Sequence, residues 1–464
     1  MKKNLRIVFV TRNAKYFHYY KSIIEGLLKR GHTLTFLYDM RWTRDYPEIA
    51  DQLDNFKKGF HAFDHGQAVQ STSGARMILF YTRQILGYRR FLVSKKQSSY
   101  YVERSRSYLP RFLQVLLKRK SMAWLLKSSF SEYMLMLAER VAPPDTHITA
   151  HIRSYAPDVV VASPVTMRFS SADLEYLKAA RCLKIPTVLP VISWDNLTTK
   201  DLIHVSPDIL LAWNDVQAQE AEEEHGIRRE RIRIIGAPVF DIWFSKLKPG
   251  TTRAEFCNRY GLREEYPIIL YLGSGREQAG DEAWLVEDLR RALDNSADDA
   301  LKNAQIIVRP HPGNSKIFKK IIQKNIIAVP QFGVLPSSED SLQLFYDSLF
   351  HSVCAVVGVI TSAIIDAMIA GKPGAAILTD TYRVNQAEVK HFQHLVEADA
   401  VEWVRGPEDF PRVLRHLLDG NDDHRAEREA FIKRFIRPLG LAQSAGDAAA
   451  EEIEKVSVAI MQSD

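Results

Sequence analysis

The 464-residue sequence has no run of about 18 uncharged apolar residues, the length that a membrane-spanning helix requires. Its first apolar run, residues 7–10, is too short for the core of a signal peptide, and no small-residue cleavage site follows it. We therefore expect a cytoplasmic protein without a spanning helix.

Cysteine is scarce, and the three residues Cys182, Cys257 and Cys354 lie too far apart for a metal-binding or redox motif. Each falls in an ordinary helix or strand pattern, which predicts small buried side chains. Excess charge is also small, since a net charge of +6 on this length does not indicate a nucleic-acid-binding protein. Hydrophobic residues at 46% and charged residues at 25% are typical of a globular protein.

Positive charge is nevertheless concentrated between Arg83 and Lys127, where tyrosines, leucines and Trp124 are interleaved with it. Helical spacing of apolar residues, for example over 113–126, predicts that residues from about 40 to 150 form a helical insertion. Because basic residues attract anionic lipid headgroups, the pattern predicts a membrane-surface patch; a solvated helical surface is the alternative. The residues assigned to this patch are Arg111, Lys118, Arg119, Lys120 and Lys127.

Outside this segment, short buried strands alternate with helices, beginning with a strand at 7–10, a helix at 17–30 and a strand at 33–37. This rhythm predicts an α/β fold with two Rossmann-like, doubly wound parallel sheets. We assign residues 1–243 to a first, acceptor-side domain that carries the insertion, and residues 254–422 to a second, nucleotide-donor domain. Residues 423–464 form a charged helical tail that we expect to cross back to the first domain.

The second half contains a strand at 353–357 that leads to Thr361 and Ser362 at the start of a predicted helix. Hydroxyl side chains at such a position cap backbone N–H groups, and the helix start also attracts anions. Asp366, four residues after Ser362, is placed to accept hydrogen bonds from ribose hydroxyls. The alternative is an ordinary capped helix with a solvated Asp366.

Two further loops follow strands of the same predicted sheet. Arg309 and His311 lie in a proline-restricted loop after the strand at 305–308; Arg309 offers a forked cation for phosphate, and His311 a hydrogen bond to a leaving diphosphate. A structural histidine is the alternative. The third loop, which directly follows the strand at 268–272, consists of Gly273, Ser274 and Gly275, whose glycines let a ligand approach the backbone; a plain surface turn is its alternative.

The first half is expected to supply the acceptor side. The polar segment after the strand at 187–191 contains Ser193 and Asn196 as candidate contacts with sugar hydroxyls and Asp195 as a candidate base. A local Asx-type turn is the alternative. His18, early in the first helix, is a second candidate base or else an exposed helix residue.

Together these motifs resemble the donor domain of GT-B glycosyltransferases: Leu272 to Gly275, Arg309 to Pro312, Thr361-Ser362 with Asp366, and Gly371-Lys372-Pro373. The resemblance implies a nucleotide-sugar donor, with Asp366 on the ribose. The His-Pro and Thr-Ser pairs also resemble CDP-glycerol glycerophosphotransferases and the sialic-acid and Kdo transferases of bacterial capsule and lipopolysaccharide assembly. The sequence departs from these families in having neither an acidic-acidic-Gly triplet nor the paired glutamates of many retaining enzymes.

We therefore expect transfer of a sugar to a bacterial surface-glycan or lipid-linked acceptor, on a cytoplasmic protein that can attach peripherally to a membrane. No Asp-x-Asp motif lies in a suitable loop, so we expect the reaction to need no metal and no separate cofactor. The alternatives are a CDP-alcohol glycerophosphotransferase, a sugar-nucleotide epimerase, and a non-catalytic polysaccharide-assembly protein of the same fold. No nucleic-acid-binding motif accompanies the basic segment.

Overall fold

The computed structural model describes residues 4–42, 48–94, 97–166, 171–245, 247–331 and 338–461. The chain divides into two compact units. The first unit comprises Met1–Asp241 and Arg434–Asp464, and the second comprises Ile242–Lys433. Each unit contains one parallel sheet, which confirms the predicted α/β class.

The first unit has a seven-stranded sheet within its described residues, in the order β3-β2-β1-β4-β5-β6-β7. Its strands are β1 Arg6–Thr11, β2 Thr33–Tyr38, β3 Phe63–Gln67, β4 Val159–Ser163, β5 Thr187–Pro190, β6 Ile209–Ala212 and β7 Ile232–Ile234. All neighbouring strands are parallel. The central strands are continuous apolar runs and are buried, as expected for a sheet that is covered on both faces.

Helices α1 to α12 follow in chain order: α1 Phe17–Lys29, α2 Glu48–Gly59, α3 Arg76–Val93, α4 Ser99–Ser107, α5 Arg111–Leu116, α6 Lys120–Lys127, α7 Ser129–Val141, α8 Thr146–Tyr155, α9 Ala172–Cys182, α10 Asn196–Thr199, α11 Asp215–His225 and α12 Asp241–Ser245. The predicted insertion is helical, but it also contains β3, which pairs with β2 along its full length. The helix predicted over 113–126 is in fact two helices, α5 and α6, separated at 117–119.

The second unit has a six-stranded parallel sheet within its described residues, in the order β10-β9-β8-β11-β12-β13. Its strands are β8 Ile268–Leu272, β9 Gln305–Arg309, β10 Ile326–Ala328, β11 Cys354–Val357, β12 Gly374–Ile377 and β13 Glu402–Val404. Its helices are α13 Arg253–Tyr260, α14 Arg276–Ala279, α15 Ala283–Asp294, α16 Asp299–Lys302, α17 Ser338–His351, α18 Ala363–Ile369, α19 Lys390–Ala398, α20 Phe410–Leu418 and α21 Arg425–Phe431.

The chain then returns to the first unit through α22, Ala445–Met461. Helix α22 packs against α1 in the core of that unit, where Ala449 and Ile453 are fully buried. The two helices approach closely, since a Cβ atom on Gly446 would lie 2.4 Å from the carbonyl carbon of Ser22. The Asp241 carboxylate accepts a hydrogen bond of 2.8 Å from the Gly446 amide, which fixes the start of the helix.

The prediction that all three cysteines are buried is confirmed for two of them and is wrong for the third. Cys257 and Cys354 are buried as predicted, but Cys182 is exposed because it is the last residue of α9, where the helix leaves the core. No helix in the described residues combines the length and apolar character that are needed to cross a bilayer.

The strand order reverses between β1 and β4 in the first sheet, and between β8 and β11 in the second. Loops that leave the carboxyl ends of the strands on either side of such a reversal diverge and open a crevice, where open α/β sheets bind ligands. The loops after β8 and β11 contain most of the residues predicted to bind the donor.

Candidate functional site

Gly273 lies at the end of β8 and allows the next loop of the sheet to pass close by. Its amide donates a hydrogen bond of 2.9 Å to the Arg309 carbonyl oxygen, which extends the β8–β9 pairing by one residue. A Cβ atom at this position would lie 3.0 Å from the Phe318 ring and 3.2 Å from the His311 nitrogen. Glycine is therefore required for the backbones of these two loops to approach each other.

Ser274 connects all three predicted loops. Its hydroxyl donates to Glu282 Oε2 at 3.1 Å and accepts from the Ile360 amide, in the β11 loop, at 3.2 Å. Its carbonyl oxygen accepts from the Asn314 side-chain amide, which follows β9, at 3.3 Å. Ser274 has no exposed surface, so its side chain holds the loops together, and its contact with the nucleotide stays a prediction.

Glu282 is a residue beneath the candidate site that the sequence analysis did not identify. It is fully buried at the N-terminus of α15, and its carboxylate accepts hydrogen bonds from the Ser274 amide and, at 3.1 Å, from the Tyr271 hydroxyl. Burial raises the pKa of Glu282 to about 7, although these hydrogen bonds oppose the shift. The carboxyl group therefore changes its charge near neutral pH at the base of the loop cluster.

The loop after β11 is held by a second buried amide, on Gln386. Its Nε2 donates hydrogen bonds to the carbonyl oxygens of Val359, at 2.7 Å, and Ile377, at 3.1 Å. Gly358 precedes this loop, and a Cβ atom there would lie 2.0 Å from the Tyr271 hydroxyl. Gln386 and Tyr271 therefore hold this loop in place. In the sequence, only a glycine after a strand was visible at this position.

His311 is exposed at the tip of the β9 loop and lies beside the β8 loop. A Cβ atom on Gly275 would be 3.7 Å from the His311 Cε1 atom. His311 Nδ1 accepts a hydrogen bond of 3.1 Å from the Gly313 amide. In the neutral ring the proton then resides on Nε2, which makes Nε2 a hydrogen-bond donor.

Arg309 has two neighbours that the sequence did not indicate, and its role as a phosphate-binding cation stays a prediction. Its guanidinium carbon lies 3.8 Å from the centre of the Phe345 ring on α17, an arrangement that stabilises the cation against the aromatic face. It is also close enough to Asp366 for each charge to affect the pKa of the other group. Burial raises the pKa of Asp366 to about 7, and the Arg309 charge opposes this shift.

The start of α18 differs from its prediction. Ser362 makes no side-chain capping hydrogen bond, and it is the Thr361 hydroxyl that accepts from the Ala363 amide, at 3.4 Å. Thr361 is half-buried and Ser362 is exposed, and both follow Ile360, whose amide donates to the Ser274 hydroxyl. The capping role therefore belongs to Thr361 because helix α18 begins only at Ala363.

In the first unit, Asp195 is engaged in a local network. Its carboxylate accepts hydrogen bonds from the hydroxyls of Ser193, at 2.6 Å, and Thr199, at 2.9 Å, and it pairs with Lys200 at 3.2 Å. Its carboxylate makes no side-chain capping hydrogen bond at the start of α10, and its role as a base stays a prediction. Asn196 is buried, and its side-chain amide nitrogen donates to the Thr166 hydroxyl at 2.7 Å, so this contact is structural, while its contact with an acceptor stays a prediction.

His18 is exposed in the first turn of α1, and its ring lies 4.1 Å from that of Tyr19. Its Nδ1 donates a hydrogen bond to the Lys15 carbonyl oxygen. Although part of the side chain is exposed, desolvation of the ring lowers the pKa of His18 to about 4, so the ring is neutral near pH 7 and carries a lone pair on Nε2.

A buried acidic group near the same sheet edge was not predicted. Asp173, in the first turn of α9, accepts a hydrogen bond of 2.8 Å from the Val165 amide in the loop after β4. Burial raises its pKa to about 6, against the opposing effect of the Arg12 charge. Arg12 is itself buried in the loop after β1, so ionisable groups follow the strands on both sides of the strand-order reversal.

No protein-family model matches the chain, and no curated protein matches it in sequence. Its structure is similar to that of a glycosyltransferase from Rickettsia africae, with a TM-score of 0.54, 13% sequence identity and full coverage of both chains. It is also similar to UGT89C1 of Arabidopsis thaliana in complex with UDP, with a TM-score of 0.51, 12% identity and coverage of 98% of this chain and 100% of that one. A UDP-GlcNAc 2-epimerase from Methanocaldococcus jannaschii gives a TM-score of 0.50, 15% identity and coverage of 98% and 99%.

These similarities extend over both units and confirm that the chain has the GT-B fold, as the sequence resemblance predicted. The fold is shared by transferases and epimerases, so it limits the chemistry without selecting one reaction.

Proposed function

We propose that the chain is a GT-B glycosyltransferase whose second unit binds a nucleotide-sugar donor. The observation that carries this proposal is the position of Ser274, which joins the loops after β8, β9 and β11 where the strand order reverses. A diphosphate is recognised best by groups that are held in place before it binds. The buried contacts of Ser274, Glu282 and Gln386 provide such support beneath an exposed rim.

On this rim, His311 is the residue proposed to act on the diphosphate. Its Nε2–H donates a hydrogen bond to a phosphate oxygen and offsets the negative charge that develops as the nucleotide leaves. Gly273 lets the β8 and β9 loops meet, Gly275 allows the ligand to approach the backbone, and the exposed Ser362 and half-buried Thr361 border it from the β11 side. The reaction is proposed to need no metal, because protein groups supply the charge stabilisation.

Asp366 is proposed to accept hydrogen bonds from the ribose hydroxyls. Arg309 then acts mainly through Asp366, because its charge favours the carboxylate form, while the stacking on Phe345 holds the guanidinium in place. Uridine diphosphate is the first nucleotide to test, since it is bound in the structure of UGT89C1.

The acceptor is proposed to be a bacterial surface glycan or a lipid-linked sugar, bound by the first unit. Its hydroxyl oxygen attacks the anomeric carbon of the donor sugar, the bond from that carbon to the diphosphate oxygen breaks, and the nucleotide leaves with the electron pair. A base takes the hydroxyl proton. We favour His18 over Asp195 as that base, because Asp195 already has Ser193, Thr199 and Lys200 as partners.

The test is a thermal-shift screen of the purified chain with UDP, GDP, CDP, CMP and dTDP, each with and without magnesium. A ligand that binds only the folded protein stabilises it by roughly 2.7 kcal/mol at 100 times its dissociation constant. We expect a shift with one nucleoside diphosphate that does not require magnesium. If none of the five nucleotides raises the melting temperature, the proposed donor site is contradicted and the non-catalytic alternative is favoured.

An epimerase is the second candidate, because a UDP-GlcNAc 2-epimerase shares the fold along almost the whole chain. Incubation with UDP-GlcNAc separates the two reactions. An epimerase yields an epimeric sugar without any acceptor, whereas a transferase requires an acceptor for efficient release of UDP. Formation of an epimer alone would replace transfer as the function.

A further inference from the structure

Three large aromatic side chains of the helical insertion are directed to the outside of the first unit. Trp124, Phe112 and Phe130 are 73%, 70% and 70% exposed. They belong to α6, to α5 and to the start of α7, three helices that follow one another without a long connection. Single exposed apolar residues are normal, but a concentration of aromatic residues in one short segment marks an interaction surface.

These helices have a second apolar side, which forms a small core. Leu126 is buried there with Tyr88 and Leu109, and Leu113 and Leu117 pack against them. The outward apolar residues are therefore additional to those that hold the insertion together. In the same segment they are Phe112, Val115, Leu116, Trp124, Leu125 and Phe130.

Charge in this segment has only one sign. Residues 104–131 contain seven basic residues and no acidic residue. Arg106 pairs with Glu103, just outside the segment. Five other cations are exposed, and in the part of the chain that the structure describes none of them forms an ion pair: Arg111, Lys118, Arg119, Lys120 and Lys127.

We infer that this surface, the basic apolar patch of residues 111–130, binds the anionic surface of a lipid bilayer. Aromatic and leucine side chains enter the boundary between headgroups and acyl chains, while lysine and arginine side chains extend to the lipid phosphates. Tryptophan is especially suited to that boundary, because its ring is apolar and its N–H is polar.

The charge also argues against a second copy of the chain as the occupant. A symmetric dimer through this surface would bring the same basic cluster against itself, and like charges in contact oppose association. An anionic bilayer instead offers negative charge on its headgroups and an apolar layer directly beneath them. The inference concerns the first unit alone and does not depend on the activity proposed above.

The test is sedimentation of the full chain with vesicles of phosphatidylcholine, and with vesicles in which phosphatidylglycerol replaces part of it. We expect the chain to bind the anionic vesicles more tightly and to lose affinity as salt is added. The triple variant Lys118→Gln, Arg119→Gln, Lys120→Gln should bind them on the order of 100-fold more weakly, since each charge contributes roughly fivefold. The double variant Phe112→Ser, Trp124→Ser should lose affinity even at low salt.

A matched control, Lys29→Gln, Arg228→Gln, Arg229→Gln, removes the same charge from exposed positions outside the patch. It should retain the wild-type affinity to within about twofold. All these side chains are exposed, so circular dichroism and thermal unfolding should show intact folding for each variant. Equal binding to neutral and anionic vesicles, or an equal loss in the control variant, would overturn the inference. A lipid-free wild-type dimer that Trp124→Ser dissociates would overturn it in favour of a second copy.

Discussion

The Glu282 carboxylate accepts hydrogen bonds from both the backbone amide and the hydroxyl of Ser274, and neither residue is exposed to solvent. This pair lies beneath the loops that are proposed to hold the nucleotide. Because its carboxyl group is buried, the pair connects the protonation of one side chain to the position of three loops.

The first prediction concerns pH. The folded-state pKa of Glu282, about 7, is above its usual value of 4.5, so the folded protein binds this proton more tightly than the unfolded chain does. The stability that the protonated Glu282 carboxyl group contributes is complete below about pH 4.5 and is lost as the pH rises through about 7. Urea unfolding should therefore show that wild type loses up to roughly 3 kcal/mol more between pH 5 and pH 8 than Glu282→Gln, which cannot ionise. Parallel pH profiles for the two proteins would contradict this assignment.

The second prediction concerns Ser274→Ala. Removing the hydroxyl leaves the buried Ile360 amide without its acceptor and removes one donor from Glu282. We expect a loss of about 1–3 kcal/mol in unfolding free energy and weaker nucleotide binding. Ser107→Ala, at an exposed position, is the control and should change neither measurement.

The third prediction concerns His311→Ala, which removes the proposed donor to the leaving diphosphate. We expect turnover to fall by about 100- to 1000-fold, with a melting temperature close to that of wild type because the side chain is exposed. His416→Ala removes a partly exposed histidine elsewhere in the second unit and should leave turnover unchanged. A folded His311→Ala variant with normal turnover would exclude His311 from the reaction.

The fourth prediction concerns Asp366→Asn, which keeps the size of the side chain and removes its charge. If the carboxylate binds the ribose, the dissociation constant for the nucleoside diphosphate should rise by about 10-fold, measured by calorimetry. The matched control, Asp299→Asn, removes an acidic group from α16 and should bind normally. An unchanged dissociation constant in Asp366→Asn would mean that no ribose contact exists there.

The fifth prediction concerns Gly358→Ala. The added methyl group would meet the Tyr271 hydroxyl at 2.0 Å and Leu285 at 2.6 Å, and both neighbours are buried. We expect a destabilisation of about 1–3 kcal/mol from overpacking. At Gly59 in α2 a methyl group would meet no atom within 4 Å, so Gly59→Ala should be neutral or slightly stabilising by denaturant unfolding.

The two parallel sheets could be predicted because their central strands, such as β4 and β8, are short runs of buried apolar residues between helices. Strand β3 could not, because an edge strand needs few apolar residues, and only Phe63 is buried in it. The break between α5 and α6 was also not visible. Leu113 and Leu126 pack on the same small core on either side of it, so the helical spacing continues across the break.

The loops of the candidate site could be located from the strands that they follow, but the roles within them could not. Nothing near Glu282 in sequence marks it as buried, because its partners come from β8 and the loop after it. Arg309 resembles a phosphate-binding residue in sequence, whereas its contact with Phe345 depends on a helix 36 positions later along the chain. Such contacts arise only when distant segments pack together.

The return of α22 to α1 has a consequence for the order in which the protein matures. Ala449 and Ile453 complete the core around β1, yet they are synthesised after every residue of the second unit. During translation the second unit can therefore fold while the first is still missing one side of its interior. The unit whose synthesis begins first is therefore completed after the second unit, because its core stays open until α22 has left the ribosome.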